Sequence, residues 1–482
     1  MAALISGGLG VPQLRPGGYR RPMNAKPDIQ TGAPDGSYGE LARLATPIVM
    51  SRLGVMAMGL TDAVVVGQYS AEELGLQALG WAPTVTVLVA GIGLLLGVQV
   101  LTARHIGAGR PELTGAVLRR GILYALLLGL SATAVLVTLG PFALRNLGLS
   151  PEVAAGASAV LIVFSLSMTP YLVADAMWFW LEAQGKPQVP MVAMWAANLV
   201  NLAIILWLVP GNSPFPVSGA VAAAWTTLFA RIALMLMLAW WIWRWPVARA
   251  LGVFSPTPHE PELALEQRRI GYGSGISYAI EAGAFSGISF VAAQLSVLVV
   301  AAWSVVMNVA AVMFMFPMGI GAATAVLVSR SVGANSIIGV QRAFHMGMRV
   351  AMVLLAALSL LVFLDAELVA RAYSSEPALL AMAGPALVLS CLFFMMDGAQ
   401  VVAANALRAR GDIWWPTGMH FVSYILIMIP LAWWLGVVRN GGLDGIVWAV
   451  IVASLVSGIA LIARFFWLGD KMSADSGTES FH

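Results

Sequence analysis

Along nearly its whole length this chain repeats one pattern, a stretch of 20 or more residues dominated by Leu, Val, Ala, Ile, Met and Phe. A helix rises about 1.5 Å per residue, so each stretch covers the roughly 30 Å hydrocarbon core of a bilayer. In that medium a helix satisfies its own backbone hydrogen bonds, which a lone strand cannot do. Twelve spans are predicted, over 44–68, 78–103, 117–141, 155–181, 190–210, 217–243, 273–296, 299–328, 344–364, 379–406, 415–436 and 444–468. The spans lack period-two alternation, which argues against a β-barrel. Charged residues make up 10% of the chain and hydrophobic ones 60%, whereas a soluble globule carries about 25% charge. The expected fold is an all-α polytopic membrane protein with 12 transmembrane helices.

Residues 1–40 are rich in Gly and Pro, carry Arg15, Arg20, Arg21 and Lys26, and hold no apolar run of signal-peptide type. They read as a disordered cytoplasmic tail. Placing this tail inside puts 21 of the 26 Lys and Arg residues on the cytoplasmic side, leaves Arg145, Arg371 and Arg439 outside, and puts Arg52 and Arg231 within spans. That asymmetry follows the positive-inside rule and predicts that both termini are cytoplasmic. No basic run suggests a nucleic-acid partner. Cys391 is the only cysteine, so no intramolecular disulfide is available. The histidines, His105, His259, His345, His420 and His482, show no metal-ligand spacing and read as interfacial or solvated side chains.

A shift of 226 residues lays VLTARHIGA at 100–108 on VLVSRSVGA at 326–334. The same offset carries Gly93 onto Gly319, Gly121 onto Gly347, Leu181 onto Leu407, Ala183 onto Ala409, Gly185 onto Gly411 and Pro190 onto Pro416. Two homologous six-helix bundles are therefore expected, over 41–243 and 273–468, joined by a cytoplasmic linker at 244–272 and followed by a cytoplasmic tail at 469–482. Six is even, so the halves share an orientation and are related by a pseudo-twofold axis along the membrane normal, the architecture of transporters with a site between repeats.

Three carboxylates stand inside the apolar runs, Asp62, Glu281 and Asp397. A charge at mid-bilayer costs at least about 2.5–3.5 kcal/mol, which marks each as a candidate cation or proton handle. The offset pairs them with Ile288, Val55 and Tyr171, so the halves have specialised. A low dielectric and a second carboxyl nearby favour the neutral form of such a group, while oxygens of Asn308 or Asn405 could complete a hard-oxygen cage for Na⁺. Asp62 and Arg52 lie ten residues apart on one helix, about 15 Å along the axis, too far to pair, and Arg52 is expected to snorkel. Asp175 is a further candidate ligand, with an interhelical pair to Arg231 as its structural alternative. Glu182 and Lys186 read as a solvated helix end. Met313, Met315, Met318, Met395 and Met396 offer either an adaptable surface or ordinary packing. Gly93 with Gly97, and Gly283 with Gly287, fit small-xxx-small packing, and Pro47, Pro170 and Pro317 are candidate kinks.

The chain resembles the multidrug and toxic compound extrusion (MATE) transporters, and among them the bacterial NorM-type subfamily. The resemblance covers essentially 40–470 and is carried by TPIVMSRLGVMAMGLTDAVVVG, FWLEAQGKPQVPM, SYAIEAGAFSG, MNVAAVMFMFPMGIGAATAVLVSRSVGA and MDGAQVVAANALRARGD, in that order. It implies a monomeric multidrug exporter of the bacterial inner membrane that exchanges cationic, often aromatic drugs for Na⁺ or H⁺ without a cofactor. It also implies roles in cation coupling for Asp62, Glu281 and Asp397, the last two as Na⁺ ligands if sodium is the ion. Phe393 stands where a Tyr is often found and Trp303 where a His is common, and the first change removes one potential oxygen ligand. No GxxxxGK[ST] motif occurs, so the chain is not a self-contained ATP-driven pump. A flippase for lipid-linked saccharides is the alternative within transport, kept open by Arg52 and Arg231. A membrane-embedded enzyme lacks support, since no loop clusters His, Asp or Glu.

Overall fold

The computed structural model describes residues 32–211, 214–256 and 261–478, so most of the expected N-terminal tail lies outside the described residues. Among the described residues, twelve helices are long and apolar enough to cross a membrane: α1 Tyr38–Tyr69, α2 Ala71–Gly107, α3 Pro111–Arg145, α4 Pro151–Ala183, α5 Gln188–Leu208, α6 Gly219–Arg244, α7 Pro261–Ala293, α8 Val297–Gly333, α9 Ile337–Leu364, α10 Pro377–Arg410, α11 Trp414–Val438 and α12 Gly442–Gly469.

Most of these helices outrun the expected spans, because a helix ends where its terminal groups find caps and not where hydrophobicity falls. The hydroxyls of Ser37, Ser70, Ser150, Ser296 and Ser336 accept first-turn N–H groups and start α1, α2, α4, α8 and α9. Capping by Ser296 also explains why α7 stops at Ala293, short of the expected 296. At its other end α7 begins on Pro261, inside the segment read as linker, since proline suits the first helical position. The backbone of the last helix continues to Thr478. In α4 the helix breaks at Ser167, because Pro170 has no N–H for the carbonyl of Leu166. Pro47 and Pro317 stand inside continuous helices. Within α11 the turns widen to π-helical geometry over Phe421–Met428 and Trp433–Val438.

Helices α1–α6 and α7–α12 form two bundles, each with its own buried core. Trp178 and Trp180 fill the first, while Trp303 and Tyr424 belong to the second. A third buried cluster crosses between the bundles, joining Leu41, Ile48 and Ala183 to Val326, Phe344, Leu407 and Phe465. It lies where α1 begins and α12 ends, here called the tail side, and Phe344 stacks on Phe465 there with ring centroids 4.0 Å apart.

On this side the contacts obey the internal symmetry. A Cβ on Gly107 of α2 would run into the carbonyl oxygen of Arg330 on α8, and one on Gly333 of α8 into that of Arg104 on α2. The offset that equates Gly107 with Gly333 also equates Arg104 with Arg330. The two guanidinium groups cross in the same way: Arg104 donates to the carbonyl of Ala409 at 3.0 Å, and Arg330 to that of Ala183 at 2.8 Å. Each arginine thus satisfies an otherwise open carbonyl in the last turn of the other bundle's fourth helix. Further along, Gly93 and Gly97 lie against the backbone of α7 at Gly275 and Gln267, while Gly319 meets Val49 of α1. The small-xxx-small expectation therefore holds for α2. It fails for α7, where a Cβ on Gly283 would meet nothing within 4 Å.

Gly107→Ala and Gly333→Ala should each destabilise the purified protein by about 1–3 kcal/mol through overpacking against backbone. Gly283→Ala should be neutral or stabilising by up to about 1 kcal/mol through helix propensity. Thermal unfolding in detergent measures all three.

Candidate functional site

Between the bundles lies a cavity of about 620 Å³, sealed on the tail side by the contacts just described. Its wall is mostly apolar and aromatic, with Trp81, Phe164 and Tyr171 from one bundle and Phe285, Phe314 and Phe393 from the other. Methionines 56, 58, 194, 307, 315 and 318 add flexible thioethers. Into this wall project Asp62, Glu281 and Asp397, together with Arg52, Arg231 and Arg408.

In the first bundle α1 shows the cavity one stripe, Arg52, Met56, Gly59 and Asp62, at helical spacing. Asp62 is 4% exposed; Thr227 on α6 donates to its Oδ2 at 2.6 Å, and Oδ1 is buried without a partner. Asn201 of α5 is fully buried beside Asp62. One turn beyond Thr227, Arg231 donates to Ser167 at 2.7 Å and lies over the rings of Tyr171 and Trp81, at 4.7 and 5.4 Å. The break in α4 is what turns that serine towards it.

In the second bundle Asp397 on α10 and Glu281 on α7 approach one amide nitrogen. Gln400 Nε2 lies 3.2 Å from Asp397 Oδ1 and 3.5 Å from Glu281 Oε1, and it donates to the Tyr424 hydroxyl at 2.8 Å. Tyr424 in turn donates to Asp397 Oδ1 at 3.3 Å. Towards the tail side, Arg408 donates to Ser277 at 2.8 Å and covers the ring of Tyr278 at 5.1 Å. His420 Nδ1 meets the same serine at 2.8 Å and lies 4.0 Å from Glu281 Oε2.

The structure brings Glu281 and Asp397 together and sets Asp62 across the cavity from them. Asn405 reaches the wall, with its amide donating to Val401. Asn308 does not; it is exposed, bonds back to Ser304, and sits off the stripe Met307, Ala311, Phe314 and Met318 that faces the cavity. Asp175 neither lines the cavity nor meets Arg231: both its oxygens are buried and unbonded, and Arg52 is the cation nearest in effect. Arg52 does not snorkel. It is 5% exposed, lies over Trp178 at 5.0 Å and reaches Glu182 at 3.5 Å. Glu182, expected at a solvated helix end, is fully buried and also accepts from Gln99 and Trp178, at 2.7 and 2.5 Å. His420, expected at an interface, is 2% exposed on the cavity wall. Of the methionines singled out in the sequence, only Met315 and Met318 reach the cavity. Sequence reasoning passed over Asn201, Thr227, Gln400, Arg408 and Tyr424. The repeat held one signal, since the offset sets Arg408 on Glu182 and Tyr278 on Arg52.

A cavity enclosed between two like-oriented helical bundles, with acids from both on its wall, defines a polytopic membrane transporter. The MatE family profile matches the chain twice, over 47–207 and 274–434, once in each bundle. Over 426 residues the chain is 48% identical to the probable multidrug resistance protein NorM of Caulobacter vibrioides, spanning 88% of this chain and 90% of that one. It is 29% identical to the multidrug resistance protein PmpM of Pseudomonas aeruginosa, over 82% and 83% of the two chains. A solved structure described as the outward-facing conformation of a multidrug resistance MATE family transporter superposes with a TM-score of 0.83 over 91% of this chain and 97% of that one, at 17% identity. This chain belongs to the MatE family, whose members are transporters and not enzymes.

Removing one partner of a buried ion pair strands the other charge. Glu182→Ala should therefore cost about 3–5 kcal/mol of stability, and Arg52→Leu with Glu182→Met much less than the sum of the single changes. A double-mutant cycle on unfolding measures the coupling.

Proposed function

We propose that this chain is a secondary active multidrug exporter that releases cationic, commonly aromatic compounds in exchange for Na⁺ or H⁺, by alternating access. One observation carries the reading: a single cavity, sealed at the tail side, holds buried acids from both bundles within an aromatic and methionine-rich wall. The relatives named as multidrug resistance proteins support it. With both termini in the cytoplasm of a bacterial inner membrane, the seal is cytoplasmic and the described state faces outward. A monomer suffices, since both halves of the site come from one chain.

Each part of the wall has a task in that cycle. Ring faces attract an organic cation, and thioethers repack around unlike shapes. Asp62, or the pair Glu281 and Asp397, balances the drug's charge. When Na⁺ or H⁺ neutralises the pair, the cationic drug loses its counter-charge and leaves, so the two occupancies exclude each other. If Na⁺ is the ion, Glu281 and Asp397 supply its hard oxygen ligands. Each inward elementary charge contributes about 2.3 kcal/mol per 100 mV. Arg52, Arg231 and Arg408 also face the cavity and favour, as a second reading, a flippase for anionic lipid-linked saccharides. Pairing of Arg52 with Glu182, and packing of the other two on aromatic rings, argue for the exporter.

The test is dye efflux from proteoliposomes under an imposed Na⁺ or pH gradient. Glu281→Gln and Asp397→Asn should each slow gradient-driven efflux about tenfold or more at normal membrane levels. Asp62→Asn should weaken it as well. Wild-type rates in the first two variants would remove the coupling role. A response only to an anionic lipid-linked saccharide would favour the flippase.

A further inference from the structure

We infer that Arg52 is a two-position latch on α4: it bonds Glu182 in the described state and transfers to Asp175, two turns along the same helix, when the outer side of the cavity closes. The inference rests on the alternating-access reading and goes beyond it by naming the side chains that hold α1 in each state.

Asp175 and Glu182 are seven residues apart on the uninterrupted second stretch of α4, Met168–Ala183. Seven residues make nearly two full turns, so both acids share one face, about 10 Å apart along the axis. Trp178 stands between them, three residues after one and four before the other. The Arg52 guanidinium lies over that ring at 5.0 Å and over Phe179 at 5.6 Å. The cation is thus held between two carboxylates, on aromatic faces that attract it along the path from one to the other.

The occupied position is poorly filled. Glu182 already accepts from Gln99 and Trp178, and Arg52 adds a single contact of 3.5 Å, at the outer limit of a hydrogen bond. Arg52 Nε is buried and makes no bond. At the second position both oxygens of Asp175 are buried and unbonded, and the charged groups that act on it are Arg52 and Glu182. A buried acceptor without a donor is costly, and the free energy forfeited there is recovered when the arginine arrives.

The place of Arg52 on α1 links the latch to the seal. Ile48 and Val49, about one turn before it, belong to the buried cluster that joins the bundles, and Val49 packs on Gly319 of α8. Met56 and Gly59, one and two turns after it, line the cavity. Parting of α1 from α8 at the tail side therefore displaces Arg52 against α4. The repeat holds no second copy of the device, since the 226-residue offset sets Val401 on Asp175, Arg408 on Glu182 and Tyr278 on Arg52.

The test measures the distance between spin labels at the outer ends of the two bundles, on Leu147→Cys and Val297→Cys in a Cys391→Ser background, in proteoliposomes with and without imposed Na⁺ and pH gradients. Both sites are exposed, and Cys391 is the only native cysteine. The wild type should show a long and a short distance. Glu182→Gln weakens the first position and should raise the short-distance fraction at least about threefold. Asp175→Asn weakens the second and should lower that fraction at least about threefold, with little change in thermal unfolding, because Asp175 bonds nothing in the described state. A purely structural role would not move the two variants in opposite directions. Shifts in the same direction, or none, would overturn the latch, and two wild-type distances would leave alternating access standing. A single wild-type distance under every condition would overturn both. Asp175→Asn decides alone if Glu182→Gln does not fold: unchanged fractions there mean a carboxylate satisfied by buried water and no latch. Markedly earlier unfolding of Asp175→Asn would also refute it, by showing that the carboxylate supports the described state.

Discussion

The rest of the molecule depends on the close approach of α2 and α8 at the tail side. Only glycine at 107 and 333 lets one backbone lie on the other, and only there can Arg104 and Arg330 reach across to the last carbonyls of α10 and α4. Glycine costs helix stability and arginine is costly to bury, yet both are repeated at the same offset. The crossed pair converts two open helix ends into mutual hydrogen bonds between bundles. Because these contacts gather at one side, the bundles diverge beyond them, and the divergence is the cavity.

Within that symmetric frame the polar chemistry is asymmetric. At one pair of equivalent positions the first bundle places Arg52 against Glu182 and the second places Tyr278 beneath Arg408. The first bundle thus neutralises its arginine internally, while the second leaves a cation packed on a ring near Glu281. The acids diverge too: Asp62 is held by a threonine and has an asparagine beside it, whereas Glu281 and Asp397 approach one amide and Asp397 also accepts from a phenol. A duplicated scaffold supplies the paired bundles, and residues the repeat does not share supply the polar groups between them.

Legibility in the sequence followed the range of the interaction concerned. The twelve spans and the repeat were readable, because burial in hydrocarbon acts on each segment separately and a duplication leaves a constant offset. The three acids on the cavity wall were readable as candidates because a charge inside an apolar run is costly. Arg52, Glu182 and His420 were misplaced, since each looks like a helix-end residue until its partner on another helix is known. Asn308 was proposed and Gln400 passed over for a similar reason: which face of a helix meets the cavity depends on how it is rotated against its neighbours. Tyr424 lay further out of reach, on π-helical turns that shift the face of α11 away from the ordinary 3.6-residue period.

What could be read along the chain was the number of helices, their common orientation in two halves, and the presence of acids inside apolar runs. Those properties arise from local terms, hydropathy and backbone hydrogen bonding within each segment. Which acid pairs with which donor, where arginine is neutralised, and which side of the cavity is sealed came from packing between helices far apart in sequence. Those are matters of interhelical distance and rotation, and an ångström or a fraction of a turn decides whether a hydroxyl or an amide reaches a carboxylate.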